Sequence, residues 1–246
     1  MKWIVISILA AVLTAGCVQD AGGDNVDEIS FNGTTVIWLG HATFEIFDRN
    51  TVIYTDPYVL PQQPDRADFI LVSHDHYDHC DPSKIASLQT DETRIITTHA
   101  CIQKGLTGRT NTLAPGEFFE YMDDGLTVEA IQAYNLEKDY HPNGSGIGFV
   151  FTFNGRKFYF AGDTDNIPEM AELKDIYMAF LPIGGTYTMN VEEAAEAAKA
   201  IKPKIVVPMH YNSDKYGIDG INAEPSKLKK LLEDTGIQVA VLNPVV

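Results

Sequence analysis

The sequence predicts a mixed α/β (α+β) fold in which two β-sheets pack face to face and helices cover their outer sides. Short apolar runs rich in β-branched and aromatic residues occur in both halves of the chain. Each half closes with helical segments, an order typical of sheets covered by helices. No linker rich in Pro, Gly or Ser interrupts the 246 residues after about residue 33. The sequence therefore predicts one domain.

The first half of the chain begins with a predicted strand meander, with turns at Gly40 and at residues 48–50. A helix is expected to begin after Asp81, a good N-cap, with Pro82 at its first position. The predicted strands span residues 35–39, 43–47, 51–55, 68–72, 94–98 and 126–134, and the predicted helices span 82–88 and 100–106.

The second half opens with a predicted hairpin that turns at Asn154-Gly155, a strong signal for a two-residue turn. Asn190 is expected to begin a helix, because asparagine is a favoured N-cap. The predicted strands span residues 148–153, 157–160, 176–182, 205–207 and 237–242, and the predicted helices span 191–201 and 226–232.

The most informative segment is residues 74–79, of sequence HDHYDH, which we call the histidine loop. It holds three of the seven histidines and directly follows an apolar predicted strand. Imidazole nitrogens and carboxylates are the donors that zinc, iron and manganese accept. A polar surface loop is the alternative interpretation, but His141, Asp163 and His210 supply further ligand-type residues near strand ends. The pattern predicts a metal site.

The charge balance argues against a polyanionic partner. The formal net charge is −16, from 34 acidic residues against 18 Lys and Arg, and we expect no basic cluster. Affinity for phosphate backbones comes largely from Lys and Arg that displace counterions. We therefore expect no nucleic-acid partner and a small-molecule substrate.

The N-terminus has the pattern of an export signal. Lys2 precedes an apolar run at residues 4–12, which is too short to cross a bilayer and ends in small residues. Ala15-Gly16-Cys17 resembles a prokaryotic lipobox, in which the cysteine carries the lipid. We expect residues 1–16 to be a signal peptide, 17–33 a lipidated N-terminus with a flexible tether, and 34–246 the folded domain. An ordinary signal peptide or an uncleaved anchor is the alternative to an exported, extracytoplasmic lipoprotein anchored to the membrane.

If Cys17 carries a lipid, two cysteines remain. A disulfide between Cys80 and Cys101 is compatible with export but not required by the sequence. Cys80 directly follows His79, yet a small buried side chain is a more common role than metal ligation.

Seven short motifs occur along the chain in an order that resembles the metallo-β-lactamase superfamily. The resemblance is to the branch of metal-dependent hydrolases similar to L-ascorbate-6-phosphate lactonase and N-acylphosphatidylethanolamine phospholipase D. It covers residues from about 34 to the C-terminus and implies a four-layered αββα sandwich. The motifs are Gly40-His41-Ala42-Thr43-Phe44, Thr55-Asp56-Pro57, the histidine loop, His141 with Gly146-Ile147-Gly148, Ala161-Gly162-Asp163-Thr164, Pro182-Ile183-Gly184-Gly185 and Pro208-Met209-His210.

The resemblance also implies a dinuclear metal centre. Two divalent cations are expected, with Zn²⁺ the first expectation and Mn²⁺ or iron the alternatives. The implied ligands are His74, His76 and His141 for one metal, Asp78, His79 and His210 for the other, and Asp163 as the bridge.

Three further residues have expected roles near the metals. Asp56 is expected to orient a ligand histidine through the other ring N–H, with a structural turn residue as the alternative. His41 is expected to contact metals indirectly or touch substrate, and an ordinary core histidine is equally compatible. Tyr187 could line the pocket, although aromatic packing is the simpler interpretation.

The expected activity is hydrolysis of an ester, a lactone or a phosphoester by metal-bound hydroxide, with Asp78 or Asp163 handling the proton. β-Lactam cleavage is less favoured, because the resemblance is to a different branch. Two alternatives stay open: a mononuclear iron oxygenase, and a non-catalytic surface lipoprotein that binds metal or ligand. The sequence leaves the oligomeric state open.

Overall fold

Two seven-stranded sheets pack face to face in the structure, a computed structural model that describes residues 25–246. Ile85 and Leu88 of the first helix pack on Ile70, on the outer face of the first sheet. Apolar side chains of the later helices, including Ala198 and Leu228, pack against the second sheet. The predicted mixed α/β sandwich is confirmed.

The first half of the chain forms one sheet whose strands lie in sequence order. The strands are β1 (Glu28–Phe31), β2 (Thr34–Gly40), β3 (Thr43–Phe47), β4 (Val52–Thr55), β5 (Phe69–Leu71), β6 (Arg94–Thr97) and β7 (Arg109–Thr112), and the helices are α1 (Pro82–Leu88) and α2 (His99–Ile102). β1 to β4 are antiparallel, and β4 to β7 are parallel. As predicted, Asp81 is the N-cap of α1, accepting from the N–H groups of Ser83 and Lys84.

The second half builds a matching sheet in the reverse order, from β14 to β8. Its strands are β8 (Phe118–Tyr121), β9 (Leu126–Ala133), β10 (Gly146–Phe153), β11 (Arg156–Phe160), β12 (Met178–Pro182), β13 (Ile205–Met209) and β14 (Gln238–Val239), with helices α3 (Val191–Ile201) and α4 (Pro225–Leu232). β8 to β11 are antiparallel and β11 to β14 parallel. Three short 3₁₀ helices cover Pro168–Glu172, Ser213–Tyr216 and Glu233–Thr235.

Aromatic side chains fill the space between the two sheets. Phe44 of β3 meets Phe180 of β12 with ring centroids 4.5 Å apart, and Phe151 stacks on Phe158 at 4.9 Å. All four rings are buried completely. Burial of a phenylalanine contributes about 1.5–3 kcal/mol, so this core holds the strand ends in fixed positions.

Three strands were not predicted, and one of them corrects the expected tether. β1 lies within residues 17–33, and Val26 forms a bridge with Leu242. This segment is ordered as a strand because the ring of Phe31 packs against Phe158 and Tyr177. From Val26 onward the chain therefore belongs to the sheet and is not a flexible tether. The predicted signal peptide and Cys17 lie outside the described residues.

Among the predicted elements, α2 and the last strand fall furthest short of their expected lengths, and the strands β7 and β8 were missed. α2 ends at Ile102 instead of residue 106, because Gly105 has a φ of +93° that leaves the helical region. The last strand has two residues instead of six. β7 and β8 lack the continuous apolar pattern that marks a strand.

Within residues 25–246, no helix has the length and apolar character that a bilayer crossing requires.

A disulfide joins Cys80 to Cys101, with Cα atoms 6.1 Å apart. Both cysteines are buried, and the bond ties the end of the histidine loop to α2. The question left open by the sequence is thus answered, and Cys80 is not a metal ligand.

Removal of this disulfide is expected to destabilise the domain. The bridged residues are 21 positions apart, so the double variant Cys80→Ala/Cys101→Ala should lose about 3 kcal/mol of unfolding free energy. Denaturant unfolding measures the loss. Wild-type protein treated with reductant is the matched control and should shift in the same direction. Equal stability of all three samples would contradict the prediction.

Candidate metal centre

The candidate site lies where strands of both sheets end at one edge. Asp56 follows β4, the histidine loop follows β5, Asp163 follows β11 and His210 follows β13. The carboxyl ends of parallel strands share one edge of a sheet, which is where ligands bind in such folds. A bridge between His74 and Gly146 links the two sheets at this edge. Residues distant in sequence are therefore neighbours here.

Six of the seven histidines gather at this edge, in two clusters. In each cluster the candidate ligand atoms lie within 4.8 Å of one another. The seventh, His99, is exposed on α2. The first cluster contains His74, His76 and His141, and the second contains His41, Asp78, His79 and His210. These are the two sets that the resemblance implied, with His41 added to the second.

Asp163 lies between the two clusters. Its Oδ2 atom is 3.3 Å from Nε2 of His141 in the first cluster. The same oxygen is 3.1 Å from Nε2 of His210 and 3.4 Å from Nε2 of His79 in the second. This is the position that a bridging carboxylate needs, although the bridging role itself stays a prediction.

Asp56 fixes the orientation of two histidines at once. Its Oδ2 accepts a hydrogen bond from Nδ1 of His79 at 2.7 Å, and a second from the Ser73 hydroxyl at 2.6 Å. Because the Ser73 proton goes to Asp56, its oxygen accepts from Nδ1 of His74 at 2.9 Å. Both rings thereby carry a proton on Nδ1, so Nε2 is the nitrogen available to the metal centre. Sequence reasoning found Asp56 but missed Ser73.

His141 is oriented by Asn135, a residue that sequence reasoning missed. Nδ1 of His141 lies 3.1 Å from Oδ1 of Asn135 and 3.2 Å from the carbonyl oxygen of Tyr187. Both partners are acceptors, so this ring also keeps its lone pair on Nε2. Tyr187 thus orients His141 through its main chain, while its ring packs edge-on against Tyr140 at 4.7 Å. The amide at the end of β9 was the available signal.

The Pro-Ile-Gly-Gly motif allows a close backbone approach beside His210. A Cβ atom on Gly184 would lie only 2.4 Å from the carbonyl oxygen of His210. Any side chain at this position would displace the end of β13. The motif is therefore needed to seat a ligand-type histidine, although Gly184 itself donates nothing to the site.

The residues present fit bound divalent cations. Within residues 25–246, eleven buried side-chain polar atoms have no hydrogen-bond partner, and five of them belong to site residues. They are Nδ1 of His210 and four candidate ligand atoms, namely Nε2 of His74, His79 and His210, and Oδ1 of Asp163. Buried polar atoms without partners are rare and costly. Lone pairs from imidazole and carboxylate are the donors that zinc, manganese and iron accept. Cations at this edge would satisfy these four candidate ligand atoms.

His41 is completely buried beside the second cluster. Its Nε2 lies 3.1 Å from Oδ2 of Asp78, and its Nδ1 lies 2.9 Å from the hydroxyl oxygen of Ser213. Burial lowers the pKa of His41 to about 3, and the neighbouring His210 adds to the effect. The ring is therefore neutral near pH 7. Ser213 was missed, since a single serine at the start of a short 3₁₀ helix carries no distinguishing sequence pattern.

The comparisons with known proteins agree with this geometry. A family model described as a β-lactamase superfamily domain matches residues 35–210. This protein belongs to the metallo-β-lactamase superfamily. It is 36% identical over 217 residues to a UPF0173 metal-dependent hydrolase of Thermoplasma acidophilum, covering 84% of this chain and 94% of that protein. A UPF0173 relative from Pyrococcus abyssi is 33% identical over 229 residues, with 85% and 96% covered.

Comparison with solved structures also finds similarity to metal-dependent hydrolases. A protein of Parabacteroides distasonis described as a metal-dependent hydrolase shares 34% identity at a TM-score of 0.76, covering 89% of this chain and all of that one. A metallo hydrolase of Ignicoccus hospitalis shares 27% identity at a TM-score of 0.70, with 86% and 95% covered. The protein is a metal-dependent hydrolase of this superfamily, and its His/Asp clusters could bind metal.

The two carboxylates of the hydrolase site are held in their charged form. Burial alone would raise the pKa of Asp163, but His210 and His79 hold it well below the usual range. Burial would also raise the pKa of Asp78. The charge of His79 and the hydrogen bond from His41 outweigh burial, so the pKa of Asp78 is lowered. Both side chains can therefore act as ligands or proton acceptors near neutral pH.

Asp56→Asn should weaken metal binding by the hydrolase about 10- to 100-fold, the usual cost of losing a partner that orients a ligand. Asn tolerates the φ of +34° at this position, so the backbone can stay unchanged. The amide, however, has only one acceptor oxygen, so it cannot accept from the Ser73 N–H on one side and from the His79 ring and the Ser73 hydroxyl on the other, as the two carboxylate oxygens do. Competition with a chelating dye measures the affinity. Asp65→Asn, at an exposed position, is the control, and equal affinities would contradict the prediction.

Proposed function

We propose that this protein is a dinuclear metal hydrolase that cleaves an ester, a lactone or a phosphoester in a small molecule. The observation that carries the proposal is the position of Asp163. A single oxygen of this residue lies within 3.4 Å of histidine nitrogens from both clusters. A carboxylate placed this way suits two cations that share one ligand, roughly 3.5–4 Å apart.

Each residue has a defined part in this proposal. The first cation would be held by His74, His76 and His141, and the second by Asp78, His79 and His210, with Asp163 shared. When bound, the cations activate a water molecule at neutral pH and polarise the bond to be cleaved. Asp78 and Asp163 are charged and adjacent, so either can accept the proton of that water at a carboxylate oxygen. The hydrogen bonds from Asp56 and Asn135 keep the rings in place throughout.

We also propose that the protein is exported and anchored to the membrane through a lipid on Cys17. The disulfide between Cys80 and Cys101 supports this, because disulfides persist in oxidising compartments outside the cytoplasm. Cys17→Ala should then move the protein from the membrane fraction to the soluble fraction of the host. Unchanged fractionation would contradict the proposed lipid anchor and leave the proposed hydrolase function untouched.

Metal content and turnover together test the proposed function. Protein purified without chelator should contain about two zinc, manganese or iron ions per chain by elemental analysis. Chelation should abolish hydrolysis, and the same metal should restore it. One ion per chain would contradict the dinuclear proposal and favour a mononuclear enzyme, such as an iron oxygenase. The absence of bound ions would favour a ligand-binding lipoprotein.

A further inference from the structure

We propose that the substrate is an uncharged carboxylic ester or lactone with an aromatic or apolar group beside the cleaved bond, and that phosphoesters are poor substrates. This inference rests on the proposed hydrolase function and narrows its substrate class. Two observations support it: tyrosine rings lie on both sides of the metal centre, and the loops that form the site have no free cation among the described residues.

One pair of tyrosines lies beside the second cluster. Tyr77 stands between His76 and Asp78 in the histidine loop, and its side chain is 59% exposed. Its ring meets that of Tyr58 edge-on at 6.0 Å, and Tyr58 lies 6.1 Å from the ring of His41. The Tyr58 hydroxyl is held by the carbonyl oxygen of Tyr216. A side chain as exposed as Tyr77 contributes little to the core, although it adjoins two candidate ligands.

A second pair lies beside the first cluster. Tyr140 directly precedes His141, is 50% exposed and packs edge-on against Tyr187 at 4.7 Å. Leu136, which follows Asn135, is also exposed. Exposed rings on both sides of the centre form apolar walls for a substrate, the arrangement common in small-molecule sites.

The charges around the centre are unfavourable for an anionic substrate. The six loops that carry the site residues contain twelve acidic residues and three basic ones, a formal charge of −9 that the two proposed divalent cations would reduce to −5. A field of this sign repels an approaching anion. The loops span residues 56–66, 73–81, 134–145, 162–167, 183–190 and 210–224.

Each of the three basic residues in these loops already has a partner. Lys138 pairs with Asp165 and Glu193, and Lys215 donates to the carbonyl oxygen of Val246. Arg66 donates to main-chain carbonyls at the end of α1. A phosphoester carries charged oxygens that take no part in bond cleavage and are usually held by Arg or Lys. An ester develops a single oxyanion and needs no such partner.

The proposed reaction is a simple hydrolysis. The oxygen of water forms a bond to the acyl carbon, and the bond from that carbon to the alkoxy oxygen breaks with its electron pair going to the leaving oxygen. The proton removed from water passes by way of Asp78 or Asp163 to the leaving oxygen. The products are a carboxylic acid, which ionises, and an alcohol. A lactone gives both groups in one hydroxy acid.

Four probes that release the same chromophore test the substrate class. They are 4-nitrophenyl butyrate, 4-nitrophenyl phenylacetate, 4-nitrophenyl phosphate and bis(4-nitrophenyl) phosphate. Each enzymatic kcat/KM is divided by the rate constant in buffer containing the same metal, which corrects for intrinsic reactivity. We expect the two carboxylic esters to show the larger enhancements, and the phenylacetate to have a lower KM than the butyrate.

Variants at the tyrosine positions test the apolar walls. Tyr77→Ala and Tyr140→Ala should each raise the KM for 4-nitrophenyl phenylacetate about 3- to 10-fold, with kcat changed less than about threefold. Tyr77→Phe should keep the wild-type KM, because the ring and not the hydroxyl makes the contact. Phe118→Ala is the matched control, since Phe118 is 62% exposed on β8, which carries none of the site residues.

The outcomes separate this inference from the proposed function. Larger enhancement for either phosphate probe would overturn the substrate class and leave a dinuclear hydrolase in place. Failure on all four probes by protein with two bound ions would overturn the proposed function, and this inference with it. A KM for both alanine variants equal to that of Phe118→Ala would overturn the role of the tyrosines.

Discussion

Replacing Asp163 with asparagine is expected to lower kcat/KM by on the order of 10³-fold or more. The carboxylate is buried, and one of its oxygens faces three histidine nitrogens from both clusters. Asparagine has the same shape as aspartate, but it would place at most one neutral oxygen between the two clusters instead of a charged carboxylate. The shared anionic ligand is therefore lost, and both cations lose affinity with it.

Metal content and turnover should fall together in this variant. Elemental analysis should show less than one ion per chain where the wild type holds about two, and activity should not recover at saturating metal. Asp123→Asn, in the exposed turn between β8 and β9, removes the same charge away from the site and serves as control. A variant that keeps two ions and more than about a tenth of the activity would exclude Asp163 as the bridge and as a required proton acceptor.

The sequence could predict those parts of the site that depend on local pattern. The histidine loop places three histidines and Asp78 at the end of one apolar strand, so their proximity follows from spacing alone. His141 and His210 lie about 65 and 134 residues from His76, and no local rule joins them. They came from the resemblance, and the structure places them at the same edge. His210 follows the parallel strand β13, and His141 lies in the loop between the antiparallel strands β9 and β10.

The groups that hold the ligands could not be predicted in this way. Ser73, Asn135 and Ser213 contact the histidines through one or two hydrogen bonds each. Small polar residues in the segments that follow strands are common, and only their tertiary partners distinguish these three. The tether was mispredicted for a related reason, because β1 is an edge strand whose apolar contact, Phe31 on Tyr177, lies far away in sequence.

The clustering of charged residues on the surface also could not be predicted from the sequence. The sequence has no run of basic residues, yet Arg156, Lys157, Lys202 and Lys204 line one cleft of about 710 Å³. The cleft lies near the turn between β10 and β11, at the end of the sheet away from the metal centre. Asp175 shares its lining, and Arg156 is stacked on Tyr177. Clustering of charge in space therefore has to be judged from the structure.

His76→Ala is the second large expected effect, and the one that best separates chemistry from folding. His76 is exposed, but its Nδ1 lies 3.2 Å from Nε2 of His141 and its ring lies 4.6 Å from that of His74. Removing it should take one of three donors from the first cation and lower kcat/KM on the order of 10²-fold or more. The core does not change, because no buried atom of the fold is deleted.

Stability measured without metal is therefore the informative readout for His76→Ala. With chelator present, its unfolding free energy should lie within about 0.5 kcal/mol of wild type, as for other exposed substitutions. His99→Ala is the matched control, since His99 is also exposed but lies outside both clusters, and it should keep full activity. His74→Ala, at a buried position, should lose both activity and stability. If His76→Ala retains wild-type turnover, the first cluster takes no part in catalysis and the dinuclear proposal fails.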